Sequence, residues 1–145
     1  AELEGRNPIF LVVLNGAFMF AGELMKEVSI PCQITFVRLA SYRGTSSTRQ
    51  VQEVLGLNES IEGRLVVVVE DIVDSGNTMV SLVKELSHFK PQEVKIATLF
   101  FKPTALMQKL HLDYVALEIP DDFIVGYGLD YDGYGRNLKD IYKLK

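Results

Sequence analysis

Hydrophobic residues in this chain gather into short runs that alternate with segments of helical periodicity. The runs cover residues 9–14, 33–39, 65–69 and 94–101, and a further strand is predicted at residues 113–118. The first and third of these runs contain no polar residue at all. Apolar runs of this length without alternation are typical of strands buried on both faces, as in a parallel sheet.

Between these runs, apolar residues recur every three or four positions, which predicts helices. The first helix is predicted at residues 17–28, with an inward face of Ala17, Phe18, Ala21, Leu24, Met25 and Val28. The second carries on one face Met79, Leu82, Val83, Leu86 and Phe89. A short third helix is predicted at residues 104–110. Strands alternating with helices predict an α/β fold, a mainly parallel sheet flanked by helices with right-handed crossovers.

Two segments depart from this alternation. Residues 41–49 are polar and rich in hydroxyl groups, so they cannot form a core and are predicted to be a mobile loop. A short strand is predicted to return at residues 50–55. From residue 121 onward glycine and tyrosine alternate, and a last, polar strand is predicted at residues 138–144.

Composition limits the classes of protein that fit. The 145 residues are 48% hydrophobic, which predicts one compact domain over residues 1–145. The net charge of −4 argues against a nucleic-acid partner, and no apolar run is long enough to span a membrane. The single Cys32 excludes an internal disulfide and indicates a cytoplasmic location. The chain does not start with Met and reaches a buried-type strand by Ile9, so we expect that the N-terminal part of the domain is missing.

The candidate chemistry begins where the run at residues 65–69 passes directly into Glu70 and Asp71. Adjacent carboxylates at the end of a buried strand are costly unless they bind something, and ligands bind at that end of parallel strands. A turn of small residues then enters the second helix, where free N–H groups favour phosphate. This turn comprises Asp74, Ser75, Gly76, Asn77 and Thr78. Helix capping alone is the simpler alternative, but it would need only one acid.

The whole segment, VVVVEDIVDSGNT, resembles the signature of the type I phosphoribosyltransferases at every position. It is not a P-loop, because no GxxxxGK followed by Ser or Thr is present. The resemblance implies that Glu70 and Asp71 bind the ribose hydroxyls, directly or through metal and water. It further implies that residues 74–78 hold the 5′-phosphate, and that Asp74 acts as a general base at N7 of a purine.

A second strand-to-helix turn lies at Leu14, Asn15 and Gly16. By spacing alone it is an ordinary βα turn. The resemblance implies that it binds pyrophosphate and that the Leu14–Asn15 peptide is cis. Some members of the family carry Lys where Asn15 stands, so we expect this site to lack a fixed positive charge and to rely on backbone amides.

The stretches LASYRGTSSTR, FFKPTA and EIPDDFIVGYGLDY resemble the hypoxanthine-guanine branch of this family, and the resemblance covers essentially the whole chain. It implies that Phe123 stacks on the purine and that Lys102 donates to its 6-oxygen, which favours 6-oxopurines over adenine. Backbone groups at Ile124 and near Asp130 are implied to pair with the ring edge. Residues 121–145 are thus expected to contribute to the purine site and to a small hood over it.

The same resemblance assigns the charged groups and the lid. It implies that Asp130, together with the acids at positions 70 and 71, binds Mg²⁺ through oxygen ligands. Arg136 is implied to bind pyrophosphate with its planar guanidinium. Ser41 and Tyr42 are implied to lie in a loop that closes over the site and excludes water.

The implied reaction is the Mg²⁺-dependent transfer of a 5-phosphoribosyl group from phosphoribosyl pyrophosphate to hypoxanthine or guanine. Its products are IMP or GMP and pyrophosphate, as in purine salvage, and a homodimer or homotetramer is expected. Two alternatives stay open. One is a regulatory module that senses phosphoribosyl pyrophosphate without turnover, and the other is a transferase for another base such as xanthine, uracil or adenine.

Overall fold

The computed structural model describes residues 2–39, 57 and 60–145, and its strands follow the apolar runs. The elements, in chain order, are β1 Ile9–Leu14, α1 Phe18–Glu27, β2 Gln33–Arg38, β3 Leu65–Val73, α2 Asn77–Ser87, β4 Glu93–Phe101, a 3-10 helix Pro103–Ala105, β5 Tyr114–Glu118, β6 Ile124–Val125 and β7 Tyr142–Lys143. Strands β1 to β5 form one sheet in the order β2-β1-β3-β4-β5, and every neighbouring pair is parallel. The predicted α/β fold with a parallel sheet is confirmed.

The valine run of β3 lies at the centre of this sheet and is buried on both faces. Val66 and Val68 pack on the side of α2, whereas Val67 and Val69 pack on the side of α1. None of the four is more than 1% exposed. Burial of a valine side chain contributes roughly 1.5–3 kcal/mol, so the position of β3, and of whatever follows it, is strongly fixed.

The inward face of α1 differs from the prediction at one position. Phe18 is 42% exposed, while Ala17 and Ala21 are buried and Phe20 is partly buried against the core. The cause is the unbroken apolar stretch at residues 17–20, which lets the inward face be drawn in more than one way. The two alanines, four residues apart, allow the helix backbone to approach the sheet closely.

The helix predicted at residues 104–110 is absent, since only the 3-10 helix Pro103–Ala105 forms and Leu106 is already extended. The apolar residues of this segment do not follow a helical face. Leu106 and Leu110 pack individually against the α2 side of the core, while Met107 is 79% exposed. The helical spacing of Leu106 and Leu110 therefore comes from two separate core contacts of an irregular segment and not from a helix.

The last predicted strand, at residues 138–144, is also shorter than expected. It is reduced to Tyr142–Lys143, which pairs antiparallel with Ile124–Val125. The loop at residues 41–49 and the returning strand at 50–55 lie outside the described residues. In the part of the chain that is described, no helix is long and apolar enough to cross a membrane.

Candidate active site

The two adjacent acids lie inside β3, because this strand continues beyond its valines as far as Val73. The Glu70 side chain is buried, and its Oε1 accepts a hydrogen bond from the Asp71 N–H at 2.9 Å. Burial, and then the neighbouring Asp71 carboxylate, raise the pKa of Glu70 well above its usual value. Asp71 is half-buried. The pair therefore offers one carboxyl group held within the protein and one that reaches the surface of the site.

The turn from β3 into α2, residues 74–78, is left-handed at Gly76, where φ is 85°. The Ser75 N–H donates to Asp74 Oδ1 at 2.6 Å, and the Asn77 N–H donates to Ser75 Oγ at 3.2 Å. The N–H groups of Met107 and Gln108 both donate to the Ser75 carbonyl oxygen. The irregular segment after β4 thus supports this turn from behind, while at the N-terminus of α2 the Asn77 N–H already has its acceptor in Ser75 Oγ.

The turn from β1 into α1 contacts Asp71 directly. The Leu14–Asn15 peptide is cis, as expected. A Cβ added to Gly16 would lie 1.8 Å from Asp71 Oδ2, so the carboxylate rests against the backbone at this residue. Only glycine leaves room for this contact.

Asn15 supplies no positive charge to the β1–α1 turn, but the guanidinium of another residue lies beside it. Arg38, the last residue of β2, donates from Nη2 to Asn15 Oδ1 at 3.0 Å. Leu14 and Arg38 are register partners in the parallel pair, which brings the guanidinium to the turn. A cation from the neighbouring strand thus stands beside the position where some relatives carry Lys. No motif in the sequence pointed to Arg38, since this contact depends on strand order.

The glycine-rich tail closes onto the same point. A Cβ on Gly128, whose φ is 100°, would lie 2.4 Å from the Gly16 carbonyl oxygen. Arg136 Nη1 donates to the Gly128 carbonyl oxygen at 2.8 Å, and its Nη2 lies 3.3 Å from Asp130 Oδ1. Arg136 therefore lies close to the β1–α1 turn, where it is held by groups of the tail itself.

Beside these turns lies a cavity of about 230 Å³. Its lining residues are Asp71, Ile72, Asp74, Lys102, Phe123, Ile124, Leu129 and Asp130. Six of these eight were predicted from the sequence as site residues. Neither Ile72 nor Leu129 was predicted. Ile72 lies between the predicted acids at a position where the signature asks only for an apolar residue. Leu129 lies in the glycine-rich tail and belongs to no motif.

Lys102 and Phe123 give this cavity its chemical character. Lys102 is 8% exposed, and its N–H donates to the Val73 carbonyl oxygen, which ties it to the end of β3. The Phe123 ring is 56% exposed and meets Tyr131 edge to face at a centroid distance of 6.0 Å. A buried ammonium group and an open aromatic face can together bind a planar ligand that carries a carbonyl oxygen.

The other predicted residues flank this cavity without lining it. They are Leu14, Asn15, Gly16, Glu70, Ser75, Gly76, Asn77, Thr78 and Arg136. Ser41 and Tyr42, predicted for the lid, lie outside the described residues. The residues expected to bind the base, Lys102, Phe123, Ile124 and Asp130, thus line one cavity, and the two turns lie at its edge.

A larger cavity of about 570 Å³ lies on the α1 face of the sheet, between that helix and β5. Apolar side chains such as Phe10, Phe20 and Leu24 dominate its lining, and its one carboxylate, Asp113, accepts a hydrogen bond from the Ile96 N–H. Size alone would favour this cavity. The smaller cavity is lined by three aspartates and Lys102, and the N-terminus of α2 lies next to it. We therefore take the smaller cavity as the candidate active site.

An all-parallel sheet with acids and glycine turns at the carboxyl ends of its strands defines an α/β domain of the class that binds nucleotides at this edge. Residues 1–132 match the family model of the phosphoribosyl transferase domain. The chain belongs to the phosphoribosyltransferase family.

Similar proteins point to one branch of it. The bifunctional protein TilS/HprT of Listeria monocytogenes is 43% identical over 99% of this chain, which spans 22% of that longer protein. The hypoxanthine-guanine phosphoribosyltransferase of Streptococcus pyogenes is 41% identical, with 99% of this chain and 81% of the relative covered. The crystal structure of a hypoxanthine-guanine phosphoribosyltransferase from Bacillus anthracis matches with a TM-score of 0.86 at 34% identity, covering 99% of this chain and 85% of that one.

Proposed function

We propose that this protein transfers the 5-phosphoribosyl group of phosphoribosyl pyrophosphate to N9 of hypoxanthine or guanine. The products are IMP or GMP and pyrophosphate. The observation that carries this proposal is the convergence of Asp74, Lys102 and Phe123 on one cavity next to the turn at residues 74–78. A sensor of phosphoribosyl pyrophosphate would need the turn but would have no use for the base-binding groups.

The sugar phosphate is assigned to the end of β3. The turn at residues 74–78 offers the N–H groups of a helix N-terminus to the 5′-phosphate, and the Ser75 and Thr78 hydroxyls add donors. Asp71 and Glu70 bind the ribose hydroxyls. Because Glu70 is buried whereas Asp71 is half-buried and lines the cavity, Asp71 makes the more direct contact in this proposal.

The pyrophosphate is assigned to the β1–α1 turn and the arginines beside it. Asn15 and Gly16 supply backbone groups, and Arg38 lies one hydrogen bond away. Arg136 would exchange its contacts with Asp130 and Gly128 for the leaving group, which its planar guanidinium can bind with two parallel hydrogen bonds. Positive charge at this point stabilises the negative charge that develops as the bond to pyrophosphate breaks.

Magnesium fits the donor set. Among the described residues, no three acids, histidines or cysteines lie close enough to enclose a metal ion. Mg²⁺ usually takes one or two protein carboxylates and completes its shell with water and substrate phosphates. Asp71 and Asp130 both line the cavity and Glu70 lies next to Asp71, so these acids would hold it. When bound, it would neutralise charge on the leaving pyrophosphate.

The base is assigned to the cavity itself. Phe123 stacks on the purine, Lys102 donates to its 6-oxygen and Ile124 offers backbone groups to its edge. Asp74 accepts or shares the proton at N7, which makes N9 the better nucleophile. The Asp74 carboxylate lines the same cavity as Lys102, so one ligand can meet both groups.

A spectrophotometric assay with phosphoribosyl pyrophosphate and Mg²⁺ tests the proposal, with hypoxanthine, guanine, xanthine and adenine supplied in turn. We expect turnover with hypoxanthine and guanine, and a rate at least roughly a hundredfold lower with adenine, which leaves the lysine without its acceptor. Binding of phosphoribosyl pyrophosphate without turnover of any base would instead identify the sensor. Turnover of xanthine in preference to hypoxanthine would shift the substrate assignment within the family.

A further inference from the structure

The Lys102 ammonium has one ion-pair partner within the described residues, and this partner is Asp121. The two groups, Nζ and Oδ1, lie 3.3 Å apart. The Lys102 side chain is 10% exposed and that of Asp121 is 64% exposed. Asp121 does not itself line the base cavity, in contrast to Asp71, Asp74 and Asp130. The pair therefore joins a buried cation of the site to an acid at its rim.

Asp121 is carried by a segment that is fixed on both sides. The Ile119 N–H donates to the Phe101 carbonyl oxygen at 2.8 Å, next to Lys102 in the chain, and the Leu144 N–H donates to the Phe123 carbonyl oxygen at 2.9 Å. Pro120 removes one backbone rotation immediately before Asp121. The backbone that carries Asp121 is thus held at a set position relative to the end of β4.

A lysine side chain needs such a partner in order to act as a directional donor. Its ammonium group carries three protons on a flexible stem, and three carboxylates line the same cavity. Asp121 engages one proton and leaves two for a ligand. Ordering the side chain before the ligand arrives removes part of the entropic cost of binding.

We propose that Asp121 is a positioning residue that holds the Lys102 ammonium toward the 6-oxygen of the purine and so sets the affinity for 6-oxopurines. This inference rests on the proposed function. It predicts a selective effect, because Asp121 acts on the base and not on the sugar phosphate, whose binding groups lie at residues 74–78.

Steady-state kinetics of Asp121→Asn test this role, with Asp122→Asn as the matched control. Asp122 is the adjacent acid, but its carboxylate pairs with Lys143 of β7 at 3.3 Å, away from the cavity. For Asp121→Asn we expect the KM for hypoxanthine to rise roughly fivefold to tenfold, as for a partly exposed ion pair that orders a donor. The KM for phosphoribosyl pyrophosphate should change less than about twofold. Asp122→Asn should leave both values unchanged.

A substrate analogue separates positioning from a general disturbance of the site. In 6-mercaptopurine a sulfur, a weaker acceptor, replaces the 6-oxygen. Loss of a positioned Lys102 donor should therefore lower kcat/KM for hypoxanthine more than for 6-mercaptopurine in Asp121→Asn. Asp121→Glu keeps the negative charge and should restore part of the lost hypoxanthine affinity.

The outcomes distinguish this inference from the function on which it rests. An unaltered protein that turns over no purine would overturn the proposed function. An active protein in which Asp121→Asn behaves like Asp122→Asn would overturn the positioning role alone. Equal rises in the KM of both substrates, or equal losses for hypoxanthine and its sulfur analogue, would also overturn it.

Discussion

The two strand-to-helix turns of the site both contain a glycine, but for different physical reasons. At Gly16 a side chain would collide with the Asp71 carboxylate, so the residue provides space. At Gly76 the backbone is left-handed, with φ of 85°, so the residue provides a conformation. Glycine is thus required in the first turn by a contact with another segment, and in the second by the backbone conformation of the turn itself. Substitution of the glycine should accordingly impair catalysis at the first turn and binding of the 5′-phosphate at the second.

The largest effect is expected from Asp74→Asn in the second turn. Asparagine retains an oxygen that can accept the Ser75 N–H, so the turn keeps its shape while the general base is lost. We expect kcat to fall roughly 10²–10⁴-fold, with a much smaller change in the affinity for phosphoribosyl pyrophosphate. Steady-state kinetics and calorimetric binding measure the two separately. Equal losses in both would contradict the base role.

Gly16→Ala should have the next largest effect, since the added Cβ must displace Asp71. A displacement of about 1 Å at a reacting centre can cost roughly a hundredfold, and we expect a loss of that order in kcat/KM. The melting temperature should change little, because Asp71 is only half-buried. Gly22→Ala is the control, since no described atom lies within 4 Å of its added Cβ in α1. An active Gly16→Ala enzyme would show that the contact with Asp71 is dispensable.

Gly76→Ala should have a smaller effect on kinetics and a visible one on stability. Alanine at this backbone conformation costs about 1–2 kcal/mol, and its Cβ would lie 3.0 Å from Leu106 Cδ1. Distortion of the turn should raise the KM for phosphoribosyl pyrophosphate about tenfold, which corresponds to about 1.4 kcal/mol of binding energy.

Gly63→Ala separates the two contributions. Gly63 has a similar φ of 70° with no described atom within 4 Å of an added Cβ, and it lies outside the site. Denaturant unfolding should show a loss of stability in both variants, larger in Gly76→Ala because its Cβ also meets Leu106, and kinetics should show a raised KM only in Gly76→Ala. A raised KM in Gly63→Ala would remove the special role of the second turn.

The smallest effect is expected on the pH dependence of stability, from substitution of the buried Glu70. Burial raises the pKa of Glu70, so the folded state binds its proton more tightly than the unfolded state does. This contribution to stability is present below the unfolded pKa near 4.5 and is lost as pH rises through the folded pKa. Glu70→Gln does not ionise, so its melting temperature relative to the unaltered protein should increase from pH 4.5 to pH 8. A pH-independent difference, measured without ligand or metal, would contradict this.

The sequence predicted the centre of the sheet well because β1 and the first part of β3 are unbroken apolar runs. Ile9–Leu14 matches its prediction residue for residue, and β3 begins at the predicted Leu65. The errors arose where apolar residues make single contacts without a common face, as at Leu106 and Met107. In the same way, Phe18 was predicted to point inward because every residue around it is apolar.

Within the site, the motif residues could be predicted, but the contacts between distant segments could not. Spacing identified Asp74 and the small residues after it, since each has a task within one short stretch. The meeting of Gly128 with Gly16, and of Arg38 with Asn15, depends on strand order and on the path of the tail. The pairing of Asp121 with Lys102 likewise joins two segments that no local pattern connects.

The most direct test of the account is a nitrogen-15 NMR titration of the backbone amides with phosphoribosyl pyrophosphate and Mg²⁺, in the absence of base. If the turn at residues 74–78 binds the sugar phosphate, the amide resonances of Ser75, Gly76, Asn77 and Thr78 will shift saturably, while that of Gly63 will not. Resonances of this turn that stay unchanged at saturating ligand would contradict the central claim.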